Sequence, residues 1–387
     1  MSPLKVALRC PVSPNGGYGS DGIALATALT KAGVDVRLHP THISPPLSPL
    51  VAALLTKPLE APFDLWINHV SPDQLYCSEI ERAASATTIA WSMWELSSLA
   101  NLKGKSKLKK QLKNFDVFLG YSDITLDGFE PYLPKTTISA LLQGGYDPTL
   151  WPTQERDWDS PRFSFIFNGE ANLRKDVWTT IAAFQELKDE YPEEFEPAEF
   201  HIHTTLPSIP KVIETAIPKL RVHYETWPQE TMLEFYKSGH VLVSSSHGEG
   251  KNLPCLEMLS TGGSVIATNW SGHLSWLNSQ YAYPLDYELV PLHEAKYGKD
   301  CQWAATSKDH LKELMMHCFR NRAEVRHKGM VGSQVIPYMC SWDKVIEDLF
   351  LRLSVILPEK GELLRLKFEE CKKEQAERRG NRESVQY

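Results

Sequence analysis

Short apolar runs rich in β-branched and aromatic residues alternate along the chain with longer segments of helical periodicity. This alternation is typical of βαβ units built around parallel sheets. In the first half of the chain the pattern predicts strands near 5–10, 34–38, 65–69, 87–91, 117–121 and 137–141. It also predicts a helix at 22–31, which the Lys31-Ala32-Gly33 sequence ends.

The pattern is interrupted once, between residues 146 and 161, where three prolines and several acids favour a linker. It then restarts, with strands predicted near 163–167, 200–203, 220–223, 241–244 and 264–267, helices near 177–189, 229–238 and 253–261, and a further helical pattern at 341–357. We therefore predict an α/β protein with two doubly wound, Rossmann-like domains that face each other across a cleft. The expected divisions are a first domain at 1–150, a linker at 151–161, a second domain at 162–340, and C-terminal helices with a charged tail at 341–387.

Composition narrows the class of protein. The 387 residues are 42% hydrophobic and 23% charged, which is enough apolar material for two cores. The formal net charge of −7 excludes a global positive field for nucleic acid or membrane, although a local basic patch can still act. We find no signal-peptide pattern, no apolar run of about 18 residues, and seven scattered cysteines without a Cys-x-x-Cys pair. These features predict a cytoplasmic protein without a transmembrane segment.

The exit of the first predicted strand is rich in glycine. Residues 14–22 hold four glycines, including Gly16 and Gly17. Such residues allow positive φ angles and leave the amides of a following helix free to bind an anion or a hydroxyl group. From this segment alone, an anion-binding turn and a merely flexible turn are both possible.

A second motif follows the strand at 241–244. Glu249 and Glu257 stand eight residues apart, and Leu253-Pro254 opens a helix between them. A loop carboxylate can accept hydrogen bonds from sugar hydroxyls, a helix carboxylate can hold two ribose hydroxyls, and the amides before the helix can bind a phosphate. The alternative is that both glutamates are solvated surface charges.

This second motif resembles the hallmark of the retaining GT-B glycosyltransferases of glycosyltransferase family 4. Their Glu-Gly-Phe-Gly-Leu-Pro run with a second Glu corresponds to Glu249-Gly250-Lys251-Asn252-Leu253-Pro254 and Glu257. Four further segments are similar to the family. They are 169–176, which corresponds to the phosphate loop, 145–152 before the linker, 261–273 with a strand and a glycine turn, and 91–95 with a Trp-Glu motif.

The resemblance implies a donor site for a nucleotide diphosphate sugar, UDP- or GDP-linked, with no cofactor and no metal required. Lys175 and Arg174 would neutralise the diphosphate, Glu249 would bind sugar hydroxyls, and Glu257 would bind the ribose. Further donor contacts are expected from the Gly169 turn, from the loop residues Gly250, Lys251, Asn252 and Leu253, and from Gly16 and Gly17 across the cleft.

Catalysis is expected to retain the anomeric configuration, with the leaving diphosphate helping to deprotonate the acceptor. The catalytic set implied is Glu249, Lys175 and Arg174, with His69 in support at the end of a first-domain strand. Trp94 and Glu95 would lie on the acceptor side. The acceptor itself and the oligomeric state are left open.

The chain departs from the family pattern at three positions. Glu170 replaces the first arginine of the phosphate loop, while Lys251 and Asn252 replace the Phe and the second Gly of the hallmark. Donor identity therefore does not transfer from the family. Two other functions stay open: a GT-B-related nucleotide-sugar epimerase, and a non-catalytic protein that binds sugar nucleotides.

The segment 103–113 is unusually basic, with six lysines in eleven residues, among them Lys105 and Lys109. Together with Leu102, Leu108 and Leu112 it could form an amphipathic helix on the acceptor side. It is then either a solvated helix face or a surface that attracts an anionic acceptor.

Overall fold

The computed structural model describes residues 2–14, 16–99, 105–292 and 301–383. Within these ranges the chain forms two parallel sheets of six strands each and one antiparallel hairpin. The strands of the first sheet are β1 Lys5–Val12, β2 Asp35–Ile43, β3 Phe63–His69, β4 Ser85–Ser92, β5 Val117–Gly120 and β6 Ile138–Leu141. Those of the second sheet are β7 Phe163–Asn168, β8 Ala198–His203, β9 Leu220–His223, β10 Val241–Ser244, β11 Ser264–Thr268 and β12 Tyr283–Leu285, and the hairpin pairs β13 Tyr287–Pro291 with β14 Gln302–Thr306.

Helices connect the strands and end the chain. They are α1 Gly17–Lys31, α2 Pro49–Leu55, α3 Glu79–Ala83, α4 Lys105–Leu112, α5 Asp123–Phe129, α6 Val177–Glu190, α7 Lys211–Ala216, α8 Gln229–Ser238, α9 Leu253–Ser260, α10 Lys308–Arg320, α11 Arg322–Cys340, α12 Trp342–Ile356 and α13 Pro358–Glu383. The strand order is β2-β1-β3-β4-β5-β6 in the first sheet and β12-β11-β10-β7-β8-β9 in the second. The predicted α/β class with two Rossmann-like sheets is confirmed.

Every strand predicted from the sequence is present, whereas β12 and the hairpin were not predicted. Most β13 residues are half-buried or exposed, and β12 is only three residues long. Neither presents the continuous apolar run that marks a strand buried on both faces. The hydrophobic pattern therefore gives little sign of them.

The glycine-rich segment after β1 corrects one prediction. The helix begins at Gly17 rather than at residue 22, so most of the predicted loop is the first turns of α1. A Cβ atom at Gly19 would lie 2.6 Å from the carbonyl oxygen of Ser13, and one at Gly22 would lie 2.9 Å from Cys10 Sγ. These two glycines permit close packing of helix on strand. Only Gly16, with φ of 84°, needs the left-handed region.

The C-terminal helices pack on the first sheet rather than on the second. The core that surrounds β1 and β3 includes Trp342, Ile346 and Phe350 of α12 and Phe368 of α13. The chain returns to the first sheet between α11 and α12, beside Tyr146. The amide of Tyr146 donates to the carbonyl of Cys340, and the carbonyl of Tyr146 accepts from the amide of Trp342. We use "first domain" below for the first sheet with its helices, and "second domain" for the second sheet with its helices. The exact domain limits expected from the sequence stay a prediction.

Candidate functional site

The loops that carry the predicted site residues all leave the carboxyl ends of parallel strands. Gly16 follows β1 and Met93–Glu95 follows β4, while 169–175 follows β7 and 245–252 follows β10. β7 and β10 are neighbours in the second sheet although they are not consecutive along the chain. In open α/β sheets such a reversal of strand order leaves a crevice where ligands bind.

Four charged side chains meet in this crevice. Lys175 Nζ lies 2.6 Å from Glu249 Oε1, and Arg174 Nη1 lies 3.4 Å from Glu249 Oε2. Arg174 Nε also lies 3.7 Å from Glu95 Oε1, a residue of the first domain. The Glu249 carboxylate is 5% exposed, so these contacts are only weakly screened by solvent. Arg174 and Lys175 are neighbours in the sequence, Glu249 follows 74 residues after Lys175, and the fold brings the three together.

The charges of this cluster balance one another. With both carboxylates ionised, the four side chains sum to zero charge. Burial raises the pKa of Glu249, but Lys175 and Arg174 outweigh burial and lower that pKa to about 2. Burial raises the pKa of Glu95, against the charge of Arg174, and the nearby Glu249 raises it further. An anion that bound the two cations would therefore compete with these carboxylates for them.

Contacts between the loops after β7 and β10 hold Arg174 and Lys175 in place. The carbonyl of Arg174 accepts from the amide of His247 at 2.8 Å and from Ser246 Oγ at 3.0 Å. The Arg174 guanidinium in turn donates to the carbonyl of Gly248 at 2.6 Å. The loop after β10 and the loop after β7 are thus joined side by side, which holds Arg174 and Lys175 beside Glu249.

The amino end of α9 lies next to this cluster. Asn252 precedes the helix in a left-handed conformation with φ of 60°, and its side chain donates to Ser244 Oγ at 3.0 Å instead of capping α9. The amide of Leu253 thus receives no side-chain cap from Asn252, whereas Pro254 has no N–H and the next two amides donate to the Asn252 carbonyl. Helix amino ends carry partial positive charge and favour phosphate groups.

Glu257 lies one turn inside α9 and is half-buried. Its Oε2 accepts a hydrogen bond from the hydroxyl of Tyr236 at 2.6 Å. Burial raises the pKa of Glu257 to about 7, against the Tyr236 hydrogen bond and the charge of Lys251. Glu257 therefore exchanges a proton near neutral pH. Sequence reasoning missed Tyr236, because an aromatic residue within a helix is most often part of the core.

The first domain lies directly against the loop after β10. Ser271 Oγ donates to the carbonyl of Glu95 at 2.8 Å, and the amide of Glu249 donates to Ser271 Oγ at 3.1 Å. A side chain at Gly248 would collide with the Glu95 carbonyl, and a Cβ at Gly250 would lie 2.8 Å from Met93 Sδ. Glycine is thus required at Gly248, where the neighbouring atom belongs to the backbone of the first domain, whereas a side chain at Gly250 would have to displace Met93. Sequence reasoning included Met93 and Ser271 only as members of the segments 91–95 and 261–273 and assigned no role to either.

The Gly16-Gly17 turn belongs to the same junction. A Cβ at Gly17 would lie 3.7 Å from Met93 Cε, and Met93 also contacts the Gly250 position. The Tyr18 hydroxyl receives a hydrogen bond from the Met93 amide at 2.9 Å. Gly16 and Gly17 are therefore held near the loop that carries Glu249, and their predicted donor contacts stay a prediction.

The structure describes both Gly169 and Glu170. Gly169 adopts φ of 152°, and a Cβ there would lie 3.8 Å from Lys175 Cε. Glu170 is exposed, and its carboxylate accepts a 3.3 Å hydrogen bond from the Asn172 side chain, while its carbonyl accepts from the Asn172 amide at 2.8 Å. The acid that replaces the family arginine thus turns toward solvent.

His69 is fully buried. Tyr18, Trp91, Tyr121 and Trp342 pack their rings around it at centroid distances of 5.6 to 6.0 Å. Its Nε2 hydrogen-bonds the Tyr121 hydroxyl, and burial lowers the pKa of His69 to about 4. In this conformation His69 has no exposed surface toward the crevice. Its supporting role in catalysis stays a prediction.

The residues predicted on the acceptor side occupy one region of the first domain. Trp94 is half-buried, and its Nε1 donates to the carbonyl of Ser98 at 3.1 Å. The predicted amphipathic helix is present as α4, which begins at Lys105 and buries Leu108 and Leu112 in a cluster that Trp94 also contacts. Lys107, Lys109 and Lys110 are exposed, and Lys113 pairs with Glu79 at 2.8 Å, while Leu102 and Lys103 lie outside the described residues.

Neither a metal-binding cluster nor a membrane-spanning helix is found in the described residues. They contain no group of three His, Cys, Asp or Glu side chains that could hold a metal ion. They also contain no helix that is both long and apolar enough to cross a bilayer. All seven cysteines are buried free thiols.

Solved structures share this architecture. The chain is similar to sucrose-phosphate synthase from Thermosynechococcus elongatus, with 14% identity, 91% of this chain and 100% of that chain covered, and a TM-score of 0.62. HepE from Anabaena, determined in complex with UDP, matches at 11% identity with the same coverage and TM-score. Trehalose-6-phosphate synthase from Burkholderia multivorans matches at 10% identity, with 92% and 97% covered and a TM-score of 0.62.

The chain has the GT-B fold. No protein-family model matches it, and no curated protein matches it in sequence. At these low identities the structural likeness establishes the fold alone. In the GT-B fold of this chain, the crevice with Glu249 and Glu257 lies where the carboxyl edges of both sheets meet.

Proposed function

We propose that the protein is a retaining glycosyltransferase that moves a hexose from a nucleotide diphosphate sugar to an acceptor. The observation that supports this most is the pair of carboxylates at the amino end of α9. Glu249 is held by Lys175 and Arg174, and Glu257 lies one turn into the helix. HepE, which has the same fold, was determined with UDP and with UDP-glucose, so a UDP-sugar is the first donor to test and a GDP-sugar the second.

The proposed donor site assigns one role to each group. Lys175, Arg174 and the Leu253 amide bind the diphosphate, and Glu257 accepts from the ribose hydroxyls. Glu249 accepts from hydroxyls of the donor sugar. Gly16 and Gly17 approach the donor from the first domain.

The proposed reaction follows from this placement. The bond between the anomeric carbon and the diphosphate breaks, and the acceptor oxygen bonds to that carbon on the same face. The acceptor proton passes to the departing diphosphate, whose new charge Lys175 and Arg174 stabilise. No protein nucleophile is invoked in this proposal. No metal or cofactor is required in this proposal.

The proposed acceptor is anionic. α4 exposes Lys107, Lys109 and Lys110 and packs through its buried leucines on the cluster that Trp94 contacts. Glu95, the next residue, reaches the donor cluster through Arg174. A basic helix face close to this segment would concentrate a negatively charged acceptor.

A panel of UDP-, GDP- and ADP-sugars, screened for slow hydrolysis without acceptor, tests the function. We expect one donor to release its sugar and the nucleoside diphosphate. Conversion of the donor to an epimeric sugar would support an epimerase instead. Tight nucleotide binding without any turnover, even with candidate acceptors, would support a non-catalytic binding protein.

A further inference from the structure

A second ionic contact joins the two domains beside the donor cluster. Lys251, which stands where the family hallmark has a phenylalanine, places Nζ 2.7 Å from Asp21 Oδ1 of α1. The two side chains are 5% and 3% exposed. Lys251 Nζ also donates to the carbonyl of Gly145 in the first domain. The Lys251 side chain therefore points out of its own domain.

Asp21 is the centre of a hydrogen-bonded chain. The Tyr121 hydroxyl donates to Asp21 Oδ2 at 3.1 Å, so His69 Nε2 donates to the Tyr121 oxygen. Lys251 supplies the other oxygen of Asp21 with a charged donor. The Lys251 ammonium also lies 5.3 Å from the ring centroid of Trp342, and the Gly145 backbone packs against that ring. The first domain thus presents a preformed, buried acceptor site for one lysine of the second domain.

The sequence position of Lys251 links this contact to the donor site. Lys251 is two residues from Glu249 and immediately before Asn252, which precedes α9. The Lys251 carbonyl also accepts from Trp276 Nε1 at 2.8 Å, which fixes its backbone to the second domain. A lysine held rigidly at its backbone and bound at its ammonium by the other domain restrains the whole loop.

We propose that Lys251 and Asp21 form an interdomain latch that positions the loop carrying Glu249 and keeps the GT-B crevice closed. Lys251 is then a positioning residue and not a ligand of the donor sugar. The reason is electrostatic: without Lys251, the Asp21 carboxylate stays buried with one neutral donor, and an opening of the crevice that rehydrates Asp21 becomes favourable. The effect on donor binding rests on the proposed function, whereas the closure itself does not.

Closure is tested without any nucleotide. Spin labels at Ala53→Cys on α2 and Glu313→Cys on α10, both exposed positions, report the distance between domains by pulsed electron resonance. The seven native cysteines are buried. We expect one narrow distance for the otherwise unchanged protein, and a broader, displaced distribution for Lys251→Met and for Asp21→Asn.

Lys188→Met is the matched control. Lys188 is also a buried lysine, but it donates to the carbonyls of Phe195, Glu196 and Ala198 within the second domain, at 2.7 to 2.9 Å. The Lys188→Met substitution should lower the melting temperature and leave the interdomain distance unchanged. A distance distribution in Lys251→Met that equals that of the unchanged protein overturns the latch, whatever the donor turns out to be.

Donor kinetics give the second readout. If the closed fraction falls to about one tenth, the apparent affinity for the hydrolysed donor falls about tenfold, and turnover at saturation changes little because bound donor closes the crevice. The variant that combines Lys251→Met with Asp21→Asn should lose no more donor affinity than the more affected single variant, because both substitutions remove the same contact. Additive losses in the two variants would contradict a shared contact.

Absence of any donor hydrolysis in the unchanged protein would count against the proposed function and leave the distance measurement decisive for the latch.

Discussion

Replacing Glu257 tests the nucleotide end of the proposed site. Glu257→Ala removes a carboxylate that is proposed to accept from the ribose hydroxyls. Loss of a charged hydrogen-bond acceptor costs roughly 1.5–3 kcal/mol of binding, which is roughly a 10- to 150-fold rise in Kd. Glu257→Gln keeps an acceptor oxygen for the Tyr236 hydroxyl. It should lose about half of that free energy, since neutral hydrogen bonds are about half as strong as charged ones.

The pKa of Glu257 adds a pH dependence with a defined sign. Burial raises this pKa to about 7, so the carboxyl is largely protonated at pH 6 and largely ionised at pH 8. Because the ionised form binds the hydroxyls, nucleotide affinity should rise with pH, by roughly tenfold between pH 6 and 8. The stability of the fold has the opposite pH dependence. Since the folded pKa lies above the ordinary value, stability from this group falls as pH rises from about 4.5 through about 7.

Calorimetric titration with UDP and with GDP measures both effects. Glu257→Gln removes the titrating group, so any pH dependence left in that variant belongs to the phosphates. Glu230→Ala, an exposed acid on the same helix as Tyr236, serves as the charge-loss control and should leave Kd unchanged. A folded Glu257→Ala protein with unaltered Kd for the nucleotide that binds would refute the reasoning.

Three further predictions follow from the same site. Lys175→Ala should lower turnover in donor hydrolysis more than it raises the donor KM, because its charge is needed most when the diphosphate departs, and wild-type turnover in this variant would exclude the role. NMR of early product formed in the presence of chelator should show retained configuration, while inverted product or loss of activity would contradict the proposed reaction. Reversal of Lys107, Lys109 and Lys110 to Glu should raise the acceptor KM and leave donor hydrolysis unchanged, and added salt should reproduce part of the loss because exposed charges are screened over about 8 Å. Normal acceptor kinetics of the reversed protein across salt concentrations would make α4 a solubilising face only.

Much of this architecture could be predicted from local pattern. Apolar runs such as 163–167 and 241–244 mark strands buried on both faces, and Leu253-Pro254 marks the start of α9. The glycines after β1 were misplaced into a loop, because the sequence does not show that Gly19 and Gly22 face a strand.

The site was predictable only where a motif reported it. Glu249, Lys175 and Glu257 were found through spacing and resemblance. Asp21 and Tyr121 were not, because each gains its partners from segments 52 to 230 residues away along the chain. The donor contact expected of the Lys251 backbone stays a prediction, and its ammonium contacts the first domain, which the sequence did not indicate. Contacts between domains leave no periodic signal within either one.

The most direct test of the central claim is hydrolysis of the donor sugar identified in the panel, followed by NMR for the unchanged protein and for Glu249→Gln. Glu249 holds Lys175 at 2.6 Å and is proposed to bind the sugar, so the amide should weaken both contacts. The account predicts release of free sugar and nucleoside diphosphate by the unchanged protein, with a rate at least tenfold lower in the folded variant, about 1.4 kcal/mol of lost transition-state stabilisation. Hydrolysis at an equal rate in Glu249→Gln, or turnover of none of the sugar nucleotides, would contradict it.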